Sequence, residues 1–188
     1  MENNPNPNAP KPPRRPTFRL YHPNSKGSGG AMDMELRPSV GGAEGCIMVK
    51  LANQRTVASR NSATPTYATF DWKGGIAVKL GFMDLCKILQ VMRGECECVN
   101  DGKALVHRTP NGTTLISFRH LMEPVSGYSL DVTRKTSEAE ASQTAHIFIT
   151  MSEACGLAMA LEHSLAAICF GLPSTCEPKT EAAYAEAV

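Results

Sequence analysis

Five cations stand where the alternation of the chain points them away from apolar faces, or in turns beside such faces. Lys50 lies opposite Ile47, Val49 and Leu51 in CIMVKLA; Lys79 lies between Val78 and Leu80; Arg119 lies opposite Ile116 and Phe118 in TTLISFRHL. Lys26 and Lys73 occupy the glycine-bearing stretches KGSGG and KGG next to these segments, and Tyr67 and Trp72 supply flat rings. Ammonium and guanidinium groups track phosphates, and rings stack unpaired bases, so this combination suits gripping a single strand of nucleic acid. Any one of these charges alone is an ordinary solvated group. Their recurrence at outward strand positions carries the reading.

Other chemistries find less support. ECEC (95–98) sets Cys96 and Cys98 on one strand face, but structural zinc needs four ligands, and no Cys-x-x-Cys or His-x-x-x-His completes the set. KGSGG lacks the spacing and the closing Lys-Ser/Thr of a phosphate-cradling loop, and it leads into a strand pattern, not a helix. Asp33/Glu35 and Glu95/Glu97 read as outer strand faces, where carboxylates are commonplace. A cysteine beside His107, His120 or His146 would need the fold to assemble it. The expectation is a protein without catalysis, metal or cofactor.

The elements that position these residues follow from length and periodicity. The chain has 188 residues and a formal charge of +1, enough for one domain with tails and no sign of a strongly charged partner. Residues 1–17 form a Pro/Asn-rich arm expected to be disordered, 18–173 the folded domain, and 174–188 a flexible, mildly acidic tail. The chain reads as having no apolar run of membrane-spanning length, so no membrane partner is expected. Seven cysteines, several inside apolar segments, suit free thiols in a reducing compartment; the expected location is the cytoplasm, nucleoid included.

Residues 31–36 and 46–52 alternate as strands, and ATFDWKGGIAVKL (68–80) reads as a hairpin contributing two more. Residues 82–93 change to helical period and stop at Gly94. Strands follow at 95–99, 104–108, 113–121, 128–135 and 146–150, then a helix over 152–170 opened by the capping box Thr150–Glu153. The fold class is α+β: two antiparallel four-stranded sheets, each followed by a helix. Ala154, Gly156, Ala158, Ala160, Ala166 and Ala167 keep the second helix smooth, for packing within the protomer or against another subunit. Two loop registers stay open in the hairpin. A Gly74-Gly75 turn aligns Phe70 and Trp72 with Lys79 on an outer face, whereas a three-residue loop aligns them with Val78 and Leu80 in the core.

The repeated plan and two short motifs resemble the Whirly family of single-stranded-DNA-binding proteins. More distantly they resemble the kinetoplastid guide-RNA-binding proteins and positive cofactor four. KGSGGAMDMEL is similar to the family's first-strand signature at Lys26, Gly27 and Ala31, with Ser28 replacing its second lysine. FDWKGG is similar to the family's Tyr-Asp-Trp at Asp71 and Trp72, with Phe70 in place of tyrosine. The resemblance implies a homotetramer built around helices 82–93 and 152–170, with single strands lying along the sheets and no catalysis. The combined expectation is a non-enzymatic single-stranded nucleic-acid-binding protein, DNA ahead of RNA. The alternative is a structural or protein-interaction oligomer of the same fold. Near-neutral charge in the folded part implies binding through base stacking more than through phosphate neutralisation, hence a shallow dependence on salt.

Overall fold

A computed structural model describes residues 16–59, 64–136 and 141–172. The expected arm (1–17) and tail (174–188) fall almost wholly outside them. The elements are β1 (Thr17–His22), β2 (Gly30–Arg37), β3 (Cys46–Thr56), β4 (Thr69–Phe70), β5 (Ile76–Leu80), α1 (Phe82–Met92), β6 (Leu105–Thr109), β7 (Gly112–Leu121), β8 (Gly127–Thr136), β9 (Gln143–Thr150) and α2 (Met151–Phe170). They form two antiparallel sheets, β1-β2-β3 with β4 and β5 beside β3, and β6-β7-β8-β9. Each sheet is followed by its helix.

Three sequence readings need correction. First, 68–80 is no hairpin. β4 and β5 both pair with β3, Phe70 opposite Gln54 and Ile76 opposite Leu51, so they make one edge strand interrupted by a bulge. Across that gap, Ala52 and Asn53 on β3 face the five residues 71–75. The Asp71 carboxylate closes the bulge by accepting the Gly74 amide proton at 3.0 Å, which is why a glycine pair that reads as a turn does not reverse the chain. Second, 95–99 is not a strand: only Cys98 bridges Arg119. Third, α2 is long and apolar enough, by length and composition, to cross a bilayer. Here it packs on the sheets through Ala154, Leu157, Leu161, Ala167 and Ile168.

Alternation explains the core. Leu20, Met32, Met34, Val49, Leu51, Ile76 and Val78 point from the first sheet into a cluster shared with Ile116, Phe118, Val132 and Ile147 of the second. Leu85, Ile88 and Leu89 of α1 and Leu157 and Leu161 of α2 complete it. The sheets approach closely where β9 packs against β2 and β3. A Cβ on Gly30 would stand 1.9 Å from the His146 carbonyl oxygen, so only glycine fits there. Asn53 Nδ2 donates to the Thr144 carbonyl at 2.8 Å, and the Arg134 guanidinium donates to the Ala77 carbonyl.

The helix N-termini lock the two repeats together reciprocally. α1 follows the first sheet, and its Asp84 carboxylate accepts the Gly81 amide proton and lies 3.0 Å from His107 Nε2 on β6. α2 follows the second sheet, and its Glu153 carboxylate caps Thr150 and lies 2.9 and 3.0 Å from His22 Nε2 on β1. Each helix is thus tied to the first strand of the other repeat. A carboxylate at this position also complements the positive end of the helix dipole. Arg93 at the end of α1 reaches Glu162 of α2 at 2.9 Å.

Candidate nucleic-acid interface

The face of the first sheet that points away from the helices is built in rows. Register places Tyr21, Ala31 and Ala52 in one row, Arg19, Asp33, Lys50 and Ala77 in the next, and Thr17, Glu35, Met48 and Lys79 in the third. Lys50 and Lys79 are diagonal neighbours on adjacent strands. Neither forms an ion pair among the described residues, whereas Arg19 is held by Asp33 at 3.2 Å and Arg37 by Glu35 at 3.2 Å. Asp33 keeps one buried carboxylate oxygen without a hydrogen-bond partner among the described residues.

Above the first row stands a cluster of three rings. Tyr21 lies 5.5 Å from Phe70, tilted, and 6.2 Å from Trp72, edge-on. Ala31 and Ala52 are fully buried although they sit on the outer face, so the rings roof this end of it. Phe70 and Trp72 are half-buried and Tyr21 is 46% exposed. The rings therefore rest on the sheet and still offer surface to solvent. Neither core nor a bare face describes Trp72: the bulge swings it onto the outer surface against a ring from β1.

The turn bearing Lys26 is held at the same end of the sheet. Gln54, buried on β3, accepts the Asn24 and Gly29 amide protons at 2.8 and 3.1 Å and donates to the Asn24 carbonyl at 2.9 Å. Asn24 in turn accepts the Lys26 and Ser28 amide protons at 3.0 and 3.1 Å. Lys26 itself is exposed, and Gly27 beside it approaches Val57 at the start of the β3–β4 connection. Tyr67, 89% exposed, lies in that connection, after the bridge between Ser59 and Thr66. Lys73 is exposed in the bulge.

Six of the seven residues singled out from sequence thus belong to one sheet and its loops: Lys26, Lys50, Tyr67, Trp72, Lys73 and Lys79. Arg119 does not join them. It lies on the outer face of the second sheet, 3.5 Å from Asp131. Sequence reasoning missed Arg19 and Tyr21, which alternate with Phe18 and Leu20 in TFRLYH and could have been found by that alternation. It also missed Arg108 and Lys135, which share a row with Thr113 on the second sheet's outer face.

No family model matches the sequence, and no curated protein does. Solved structures match over 81% to 93% of the chain. WHY3 from Arabidopsis thaliana aligns over 93% of this chain and 95% of that one, with TM-score 0.65 at 15% identity. The plant transcriptional regulator PBF-2 aligns over 84% of each chain, with TM-score 0.62 at 15% identity. A Trypanosoma MRP1/MRP2 structure aligns over 81% of this chain and 85% of that one, with TM-score 0.55 at 14% identity. The chain has a Whirly-like fold, two sheet-and-helix repeats in tandem, shared with these plant and trypanosomal proteins.

Proposed function

We propose that this protein binds single-stranded nucleic acid, DNA ahead of RNA, along the outer face of its first sheet and without catalysis. One observation carries the reading: Lys50 and Lys79, free of ion pairs among the described residues, stand on the same face as the Tyr21–Phe70–Trp72 ring cluster. The lysines contact phosphates, the rings receive bases, and Lys26, Lys73 and Tyr67 extend the track at the end where the turns lie. The fold neighbours agree in kind, since one is described as a transcriptional regulator and another as a guide-RNA-binding protein complex bound to a guide RNA.

The assembly we propose is a homotetramer joined through the helices. The side of α2 turned from the core exposes Met151, Met159 and Phe170 among Gly156, Ala160 and Ala166, and α1 exposes Phe82 and Met83. A smooth apolar surface of this kind is suited to close helix contact between copies. Six cysteines are free among the described residues, which favours a reducing compartment such as the cytoplasm.

Trp72 is the chain's single tryptophan, so its fluorescence reports directly on the ring cluster. Titration with oligothymidine and oligouridine should quench it and raise the anisotropy of the labelled strand at micromolar protein. No quenching with no anisotropy change would leave the structural oligomer as the better reading.

A further inference from the structure

The second sheet carries a cavity that the lysine face does not use. About 270 Å³ in volume, it lies between segment 98–103 and the outer face of β7 and β8, and it is lined by Cys98, Val99, Lys103, Ser117, Arg119 and Asp131. This is below the range of roughly 300–1,000 Å³ usual for drug-sized ligands, and so of a size for one base.

Its rim is strained. Asn100 and Asp101 have φ of 49° and 54°, and Gly102 follows at 85°, so three consecutive residues are left-handed. Non-glycine residues occupy this region at a cost, persist there only when their surroundings hold them, and gather at ligand clamps. Here the Cys98–Arg119 bridge anchors one side, and the Lys103 amide donating to the Asn100 carbonyl at 3.0 Å anchors the other.

The polar groups are complementary in type. The Arg119 guanidinium lies 3.5 Å from an Asp131 oxygen, and that same oxygen accepts the Ser129 hydroxyl proton at 2.6 Å. A donor fork and an acceptor carboxylate therefore stand side by side, both partly open to solvent. Lys103 adds a cation on the other wall.

We infer that this cavity takes one unpaired guanine base, an assignment that rests on the nucleic-acid reading above. Guanine presents two neighbouring donors, N1–H and the N2 amino group, which a carboxylate accepts together. It also presents two neighbouring acceptors, O6 and N7, which an arginine fork matches. Adenine and cytosine offer a carboxylate only their amino group, and thymine and uracil only one ring N–H. Asp131 takes the donor edge, Arg119 the acceptor edge, and Lys103 the adjoining phosphate.

The test compares oligothymidines of equal length with and without one central guanine, by anisotropy, for the unmodified protein, Asp131→Asn and Lys50→Ala/Lys79→Ala. The guanine strand should bind roughly ten-fold tighter. Asp131→Asn should abolish that preference and leave oligothymidine affinity unchanged, since Asn keeps the bond to Ser129 and Asp131 lies off the lysine face. The double lysine variant should weaken both strands and preserve their ratio. Oligothymidine binding with no guanine preference overturns the inference while the nucleic-acid reading stands. If neither strand binds, that reading falls, and nucleoside monophosphates decide the pocket by amide NMR. Shifts centred on Ser117, Arg119 and Asp131 with guanosine monophosphate and not with uridine monophosphate support it; their absence overturns it.

Discussion

Replacing Lys50 and Lys79 together by alanine should weaken single-strand binding by a salt-dependent factor that the register lets one estimate. Lys50 is paired with Ala77, and Lys79 lies two residues further along β5, so the two are diagonal neighbours roughly 7–8 Å apart at the backbone. That spacing lets them contact neighbouring phosphates of one strand. Each phosphate neutralised on a single strand adds about 0.7 to the slope of log affinity against log salt. The double variant should therefore flatten the slope by about 1.4 and, at ~0.15 M salt, reduce affinity by about ten-fold relative to the high-salt limit. The four lysines of the proposed track, Lys26, Lys50, Lys73 and Lys79, have no ion pair among the described residues, since the salt bridges found there involve other groups. The unmodified protein should then show a slope no steeper than about −2.8, far from that of a many-contact electrostatic binder. Anisotropy titrations at four salt concentrations measure both numbers. An unchanged slope in the double variant would remove these lysines from the site, and a steep slope in the parent would show that phosphate contacts dominate.

Gly30→Ala should be among the most damaging single substitutions, because the new Cβ would meet the His146 carbonyl at 1.9 Å where the sheets touch. A loss of more than about 3 kcal/mol is expected; an unchanged melting temperature would mean the sheets separate easily. His22→Ala and His107→Ala should each cost about 1 kcal/mol in urea unfolding, as partly exposed hydrogen-bonded pairs do, and a variant with no loss would show that its helix N-terminus needs no tie. Acid should loosen the tie between α2 and β1. Burial works against the charge of Glu153, but the Thr150 amide and hydroxyl and then His22 outweigh it and hold its carboxyl below the usual range. A carboxyl lowered in the folded state contributes stability that is present above its unfolded value of about 4.3 and is lost as pH falls through the folded value. Glu153→Gln should therefore be less stable than the parent at pH 7, by a difference that shrinks as pH falls below about 4; a difference that stays constant into the acid range would contradict the linkage.

Alternation makes most strands and the outward lysines legible in the sequence. Lys50 and Lys79 need only the parity of their neighbours, and α2 announces itself through its capping box, in which Glu153 Oε2 accepts the Thr150 amide proton at 2.9 Å. The misreadings share a cause, because they depend on contacts distant in sequence. β1 escapes notice since only Leu20 of its six residues is buried, which leaves little pattern to see. The Trp-Lys-Gly-Gly stretch looks like a reversal because local chemistry cannot show that β3 pairs with residues on both sides of it. ECEC imitates strand alternation, but its pairing with β7 stops at one bridge, Cys98 to Arg119, and the Glu97 carbonyl that accepts the His120 amide proton beside it. The ring cluster is hidden for the same reason: its central member, Tyr21, arrives from β1, and Gln54, which shapes the Lys26 turn, carries no signal as a lone buried amide.

Photocrosslinking tests most directly whether bases lie on the first sheet. An oligothymidine carrying 4-thiothymidine, irradiated with the protein and mapped by mass spectrometry, should give adducts on Tyr21, Phe70 or Trp72. Adducts confined to α1 or α2, with none on those rings, would contradict it.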